Sequence, residues 1–134
     1  MNYERLEMIG RGGMSEVYRG RHRTFGHMVA LKYLKQQFCD EKDTLERFLR
    51  EAKVCHHFNH PHIVRVEDLG RDESGRPFIV MELLEGETLR ARLQHGPLPE
   101  NEARRIATQI LNALEEAHAD GVVHRDMVVY QNWC

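Results

Sequence analysis

The sequence predicts an α+β fold: a five-stranded antiparallel sheet carrying one amphipathic helix, continued through a hinge into a second, helical region. Three features of the pattern carry this expectation. Residues 3–34 read as short strand-like runs broken by glycine turns. From Asp43 the apolar residues recur at three and four positions, the period of a helix. After Glu85-Gly86 the composition turns helical. The expected domains are therefore residues 1–84 and 85–134.

Strands are expected at Tyr3–Ile9, Ser15–Arg21 and His27–Leu34, with turns at Gly10–Gly13 and around Gly26, so antiparallel hairpins follow naturally. Leu45, Phe48, Leu49, Ala52 and Cys55 then mark one face of a helix, and Glu46, Arg47, Arg50, Glu51 and Lys53 fill the others. His60-Pro61 is expected to end that helix, because a residue before proline is pushed out of the helical region. Ile63–Leu69 and Pro77–Glu82 read as two further strands joined by the polar loop Arg71–Arg76. A hinge is expected near residues 83–87, a short helix at Thr88–Leu93, and a break through Gly96-Pro97-Leu98-Pro99. Glu100–Ala119 reads as a long helix stopped by Gly121, with Ala103, Ile106, Ala107, Ile110, Leu111, Leu114 and Ala117 assigned to its apolar stripe.

With 134 residues, 41% of them hydrophobic and 30% charged, the chain lies in the ordinary globular range. Its formal charge of −2 is built from interspersed acids and bases, which gives no electrostatic case for nucleic acid or an anionic membrane. No window approaches the roughly 20 apolar residues of a membrane span, and residues 1–10 lack the apolar core of a signal peptide. The expected location is cytoplasmic. Cys39, Cys55 and Cys134 are odd in number and without CxxC spacing, so neither a disulfide framework nor a zinc site is suggested. His56, His57, His60 and His62 straddle a helix end and a proline, which is not the spacing of a zinc site, and no metal ligand is assigned.

Gly10-Arg11-Gly12-Gly13-Met14-Ser15-Glu16-Val17 lies between two predicted strands, where residues without bulk let backbone N–H groups approach a phosphate. A dinucleotide fingerprint would need a helix directly after the glycines, and here a strand follows. The plain alternative is a glycine-rich hairpin turn. Val29-Ala30-Leu31-Lys32 places one lysine in an otherwise apolar strand. Such a lysine is commonly an edge or surface residue. Held by apolar neighbours, it is also suited to reach phosphate oxygens if a carboxylate balances its charge. Glu51 is the candidate for that carboxylate, its alternative being an ordinary solvent-facing helix glutamate.

In their order and spacing these residues resemble the signature set of the protein kinases, and the glycine loop resembles that of bacterial eukaryotic-like serine/threonine kinases, with Ser15 in place of a third glycine. The resemblance covers about residues 3–126. It implies an N-terminal lobe made of a five-stranded antiparallel sheet plus helix C, followed by the hinge and helices D and E of an incomplete C-terminal lobe. It also implies ATP as ligand, bound by Ile9, Gly10, Gly12, Gly13, Ser15, Val17, Ala30, Lys32, Met81, Glu82 and Leu84. In that reading Lys32 holds the α- and β-phosphates and Glu51 is its partner. Met81 is the gatekeeper, backbone groups of Glu82 and Leu84 face adenine, and Val17 and Ala30 cover the purine. His118 to Asp126 resembles the run into the catalytic loop, which makes Asp126 the catalytic base.

Past Asp126 the resemblance fails. Family members continue Leu-Lys-Pro-x-Asn, but Val128 and Gln131 stand at the lysine and asparagine positions, and Asn132 comes one place late. No Asp-Phe-Gly occurs before Cys134. The Mg2+ expected for the intact family therefore lacks its ligands, and the chain is expected to be inactive in phosphoryl transfer on its own. The alternative reading is a non-catalytic nucleotide- or protein-binding pseudokinase fragment. Met127–Cys134 reads as unrelated sequence. Without later helices, Ile106, Ile110, Leu111 and Leu114 are expected to be poorly covered, a loss of about 1.5–3 kcal/mol for each side chain left exposed, so residues after about 87 are expected to dock in a non-family way, to self-associate through residues 100–119, or to stay loosely packed. The protein substrate is not legible in the sequence.

Overall fold

The structure, a computed structural model, describes residues 1–119, 121 and 130–131. The chain forms two compact units, one made of Met1–Asn59 with Val64–Leu83 and the other of His60–Ile63 with the chain from Leu84 onward. Asp126, with most of the tail around it, lies outside the described residues.

The first unit contains β1 (Tyr3–Arg11), β2 (Ser15–His22), β3 (Met28–Leu34), α1 (Lys42–His56), β4 (Val66–Arg71) and β5 (Pro77–Glu82). The five strands form one antiparallel sheet in the order β1-β2-β3-β5-β4. β3 occupies the centre, and its side chains alternate between two apolar clusters, as the period of a strand requires. Val29, Leu31 and Tyr33 enter one cluster with Tyr3, Phe78 and Val80. Leu34 enters the other with Phe48 and Ala52 of α1 and with Val66 and Ile79. Edge-to-face contacts of Tyr18 with Tyr33 at 5.6 Å and of Tyr3 with Phe78 at 6.2 Å order the first cluster.

α1 buries Phe48 and Ala52 against the sheet. Asp43 in its first turn and Lys53 and His56 in its last complement the helix dipole. The helix ends at His56, short of the expected His60-Pro61. The His57 N–H closes the last turn on Val54 O at 3.2 Å, and His56 Nδ1 lies 2.8 Å from Val66 O of β4. The proline sets only an outer limit, and docking of His56 on the sheet fixes the end. β4 correspondingly begins at Val66 and not at Ile63, because Ile63 N–H bonds to His60 O in a turn of the second unit.

The second unit contains β6 (Glu87–Thr88), α2 (Leu89–Leu93), α3 (Glu100–Ala119) and β7 (Tyr130–Gln131), with β6 and β7 paired antiparallel. Thr88 caps α2 by accepting the Ala91 N–H at 3.0 Å. Gly121, at φ 76°, returns its N–H to His118 O beyond the end of α3. Of the four α3 side chains expected to be poorly covered, Leu111 is, whereas Ile106 is not and that expectation is corrected. Ile106 is buried at 3% exposure, Ile110 and Leu114 are half-buried, and Leu111 is 64% exposed. Leu111 lies five residues beyond Ile106, well around the helix from it at 3.6 residues per turn. Among the described residues no helix is long and apolar enough to cross a membrane.

Gly20 of β2 shows how tightly the first cluster is closed. A Cβ there would stand 2.6 Å from Leu31 Cδ1 and 3.3 Å from Glu4 O. Because Leu31 is fully buried, it has little room to give way. Gly20→Ala is expected to cost about 1–3 kcal/mol of stability, read as a lower urea midpoint with unchanged slope.

Candidate functional site

Strand register brings the site residues onto one face of the sheet. Val17 stands opposite Lys32 and Lys32 opposite Ile79, while in the next row Ala30 stands opposite Met81. Directly opposed residues point to the same side. Ile79 and Met81 pack with the α1 cluster, so Val17, Ala30, Lys32 and Met81 all lie on the α1 side. Gly10 pairs with Val17 at the end of β1, next to the partly exposed Ile9.

The segment from Gly10 to Val17 is a flap between β1 and β2, closed by the Gly12 N–H donating to Ser15 O at 2.8 Å. Neither Gly12 nor Gly13 takes a positive φ. A Cβ on Gly13 would meet nothing within 4 Å, and one on Gly12 would only touch Ser15, at 3.4 Å from Oγ. The fold itself therefore does not require glycine at either position. Glycine there leaves the backbone N–H groups uncovered by side chains.

Lys32 is half-buried on β3, and Glu51 is exposed on α1. Among the described residues the ion pairs do not include Lys32 with Glu51, so the expected partnership is not made in this structure. Both charges nevertheless act on the thiol of Cys55, one helical turn beyond Glu51. Burial pushes that thiol up, Glu51 pushes it further up, and Lys32 pulls it down. Cys55 thus sits within electrostatic reach of both, a relation not singled out from the sequence.

Glu82 closes β5. Its N–H donates to Arg65 O, and its carboxylate accepts the Arg65 N–H, each at 3.0 Å. Leu84 belongs to the second unit, where it is half-buried. Ser15 opens β2 opposite Leu34.

No motif or spacing singles out the group behind the flap. Glu16 accepts the Tyr18 hydroxyl at 2.8 Å and lies 3.5 Å from Arg76 Nη2. Arg76 donates from Nε to Leu34 O at 2.7 Å and stacks 5.0 Å from the Tyr33 ring centroid. The Tyr18 hydrogen bond, with help from Arg76, Arg11 and Lys35, holds the Glu16 carboxyl below the usual carboxylate range despite its loss of hydration.

A sheet of this order with one helix on its lysine-bearing face and a glycine flap at its edge has the architecture of a kinase N-terminal lobe. The sequence model of the protein kinase domain matches residues 3–129, and the chain belongs to that family. Among its relatives, the serine/threonine-protein kinase pkn3 of Myxococcus xanthus is 41% identical over 121 residues, 90% of this chain and 22% of that protein. The probable serine/threonine-protein kinase PknB of Lactococcus lactis is 41% identical over 93% of this chain and 20% of its own length. The chain thus spans about a fifth of these curated relatives. The crystal structure of Rad53 residues 1–466 with AMP-PNP superposes with a TM-score of 0.80 at 27% identity, covering 99% of this chain and 38% of that one.

The position of Cys55 gives a ligand-free check of this geometry. In a chain carrying Cys39→Ser and Cys134→Ser, Lys32→Met is expected to raise the Cys55 thiol pKa and slow alkylation at a fixed pH near 8. Glu51→Gln is expected to lower the pKa and speed the reaction. An alkylation pH profile that neither substitution moves would place both charges away from Cys55.

Proposed function

We propose that this chain is the ATP-binding part of a serine/threonine protein kinase, in which the γ-phosphoryl group of ATP passes to a serine or threonine hydroxyl of a protein. The observation that carries the reading is a flap whose Gly12 and Gly13 answer no need of the fold, beside a half-buried lysine on an otherwise apolar strand. Backbone N–H groups left open by the missing side chains suit phosphate oxygens, and Lys32 supplies the cation. Val17, Ala30 and Met81 supply apolar cover for a purine. Backbone groups of Glu82 and Leu84 are assigned to adenine, and Ile9, Gly10 and Ser15 border the flap.

Asp126 is assigned as the base that receives the hydroxyl proton. Glu51 is assigned as the partner of Lys32 when nucleotide is bound, when a second anion beside the lysine makes its position matter. Among the described residues no group of three or more His, Cys, Asp or Glu side chains is gathered, and no residue is assigned to Mg2+. With Val128 and Gln131 at the lysine and asparagine positions, the 134 residues by themselves bind nucleotide without transferring phosphate. The names of the relatives and the AMP-PNP in the Rad53 crystal support the class of enzyme and of ligand.

Titration of the chain with a fluorescent ATP analogue tests the reading. Saturable binding, displaced by ATP and weakened about tenfold or more by Lys32→Met, is expected from loss of one charge-assisted contact. Equal affinity of the wild type and Lys32→Met would overturn it. Transfer of radiolabelled phosphate to a serine-containing protein by the wild type, abolished in Lys32→Met, would overturn the binding-only assignment and leave the kinase class standing.

A further inference from the structure

We propose that Arg76 and Glu16 form a tether that holds the glycine flap from behind and sets how well the flap receives phosphate. The part concerning phosphate rests on the nucleotide-binding reading above, and the tether itself does not.

Pleating of β2 places consecutive flap residues on opposite faces of the sheet. Val17 stands in a row with Lys32 and Ile79 on the α1 side. Glu16 stands opposite Tyr33, and Tyr33 opposite Phe78, which is the row of the other cluster. The Glu16 carboxylate therefore faces away from Lys32 and from any anion beside it. An acid in a phosphate flap would repel its ligand if it shared the ligand's face. On the back it can act only on the flap's position.

What it meets there is fixed at two other points. The Arg76 guanidinium is held by its Nε bond to Leu34 O and by its stacking on Tyr33, which is 1% exposed. Its side chain is 12% exposed and that of Glu16 16%, so their attraction is screened far less than that of a surface pair. Arg76 Nη2 is enclosed and makes no hydrogen bond, and the paired carboxylate oxygen, Glu16 Oε1, lies 3.5 Å away. An enclosed donor without an acceptor is unfavourable, so the pair draws the flap toward β5. A second restraint, the Lys35 N–H donating to Met14 O at 2.9 Å, holds the flap's middle. The glycines loosen the front of the flap, and the ion pair limits where it can go.

Two readouts separate the tether from the nucleotide reading. Amide hydrogen exchange of the full chain without nucleotide is expected to quicken across residues 10–17 in Arg76→Met and in Glu16→Gln, while residues 77–82 of Glu16→Gln stay protected. Unchanged exchange in the flap overturns the tether, whatever binds. In ATP titrations each variant is expected to weaken affinity roughly tenfold and adenosine affinity far less, because the glycines of the flap meet only the phosphates while Val17, over the purine, is held in β2 by its pairing with Lys32. The double variant is expected to be no weaker than the worse single one, as a shared interaction requires. Additive losses, or equal losses for ATP and adenosine, would make Arg76 merely a packing residue and overturn the proposal. Glu16→Gln keeps the Arg76 contacts to Leu34 and Tyr33, and it carries the test if Arg76→Met does not fold. A wild type that binds neither ligand, with flap exchange still quickened in the variants, would remove the nucleotide reading and leave the tether in place.

Discussion

The structure depends on one strand being buried on both sides. β3 sits between β2 and β5, and its odd-numbered side chains, Val29, Leu31 and Tyr33, fill one cluster while Ala30 and Leu34 are buried on the other face. That leaves a single charged position, Lys32, in a run from Val29 to Leu34 whose other residues are all buried. A one-residue slip would exchange the faces, placing Leu31 and Tyr33 under α1 and the ammonium in the aromatic cluster. The packing that holds the core thus also fixes where the cation points. The site residues on the neighbouring strands, Val17 and Met81, share its side because antiparallel register leaves them no other.

Charge is handled differently on the two faces of this sheet. Lys32 has lost part of its hydration without an ion pair among the described residues, and its partial exposure lets it keep some water. Arg76, its side chain 12% exposed, is matched by a carboxylate, a backbone carbonyl and an aromatic face. A planar fork with several donors can meet such divergent partners at once, whereas an ammonium cannot. The contrast fits their places: one cation stays open to an incoming anion, and the other is spent on structure.

Most of the architecture was legible because the two periods are clean. β5 and α3 fall on the expected residues, and β1, β2 and β3 differ from expectation by one or two positions at their ends. Local rules failed where distant contacts decide. α1 stops where His56 reaches Val66 O, a contact across ten residues that Pro61 could not announce. Leu111 joined the expected stripe because it is apolar, although its spacing from Ile106 places it outside. In the site, Val17, Ala30, Lys32 and Met81 were named together by resemblance, and strand register puts all four on one face of the sheet. The missing Lys32–Glu51 contact was not readable, because spacing along a helix gives direction but not distance to a strand. Nor was Arg76, which sixty residues separate from Glu16 in the sequence.

A phosphate flap faces opposing demands. It must expose backbone N–H groups, which favours glycine, yet freedom of the backbone spreads those groups over many positions and raises the entropy lost on binding. Rigidity cannot come from side chains on the ligand's face, since they would occupy the space the glycines clear. It can come from the opposite face, because a strand offers every second residue to each side. Glu16 beside Val17 is that division carried out in adjacent residues: one points to the ligand side as apolar cover, and the other points back to a guanidinium that the fold has already fixed. The same pleat that places Lys32 therefore also provides the means of holding the flap above it.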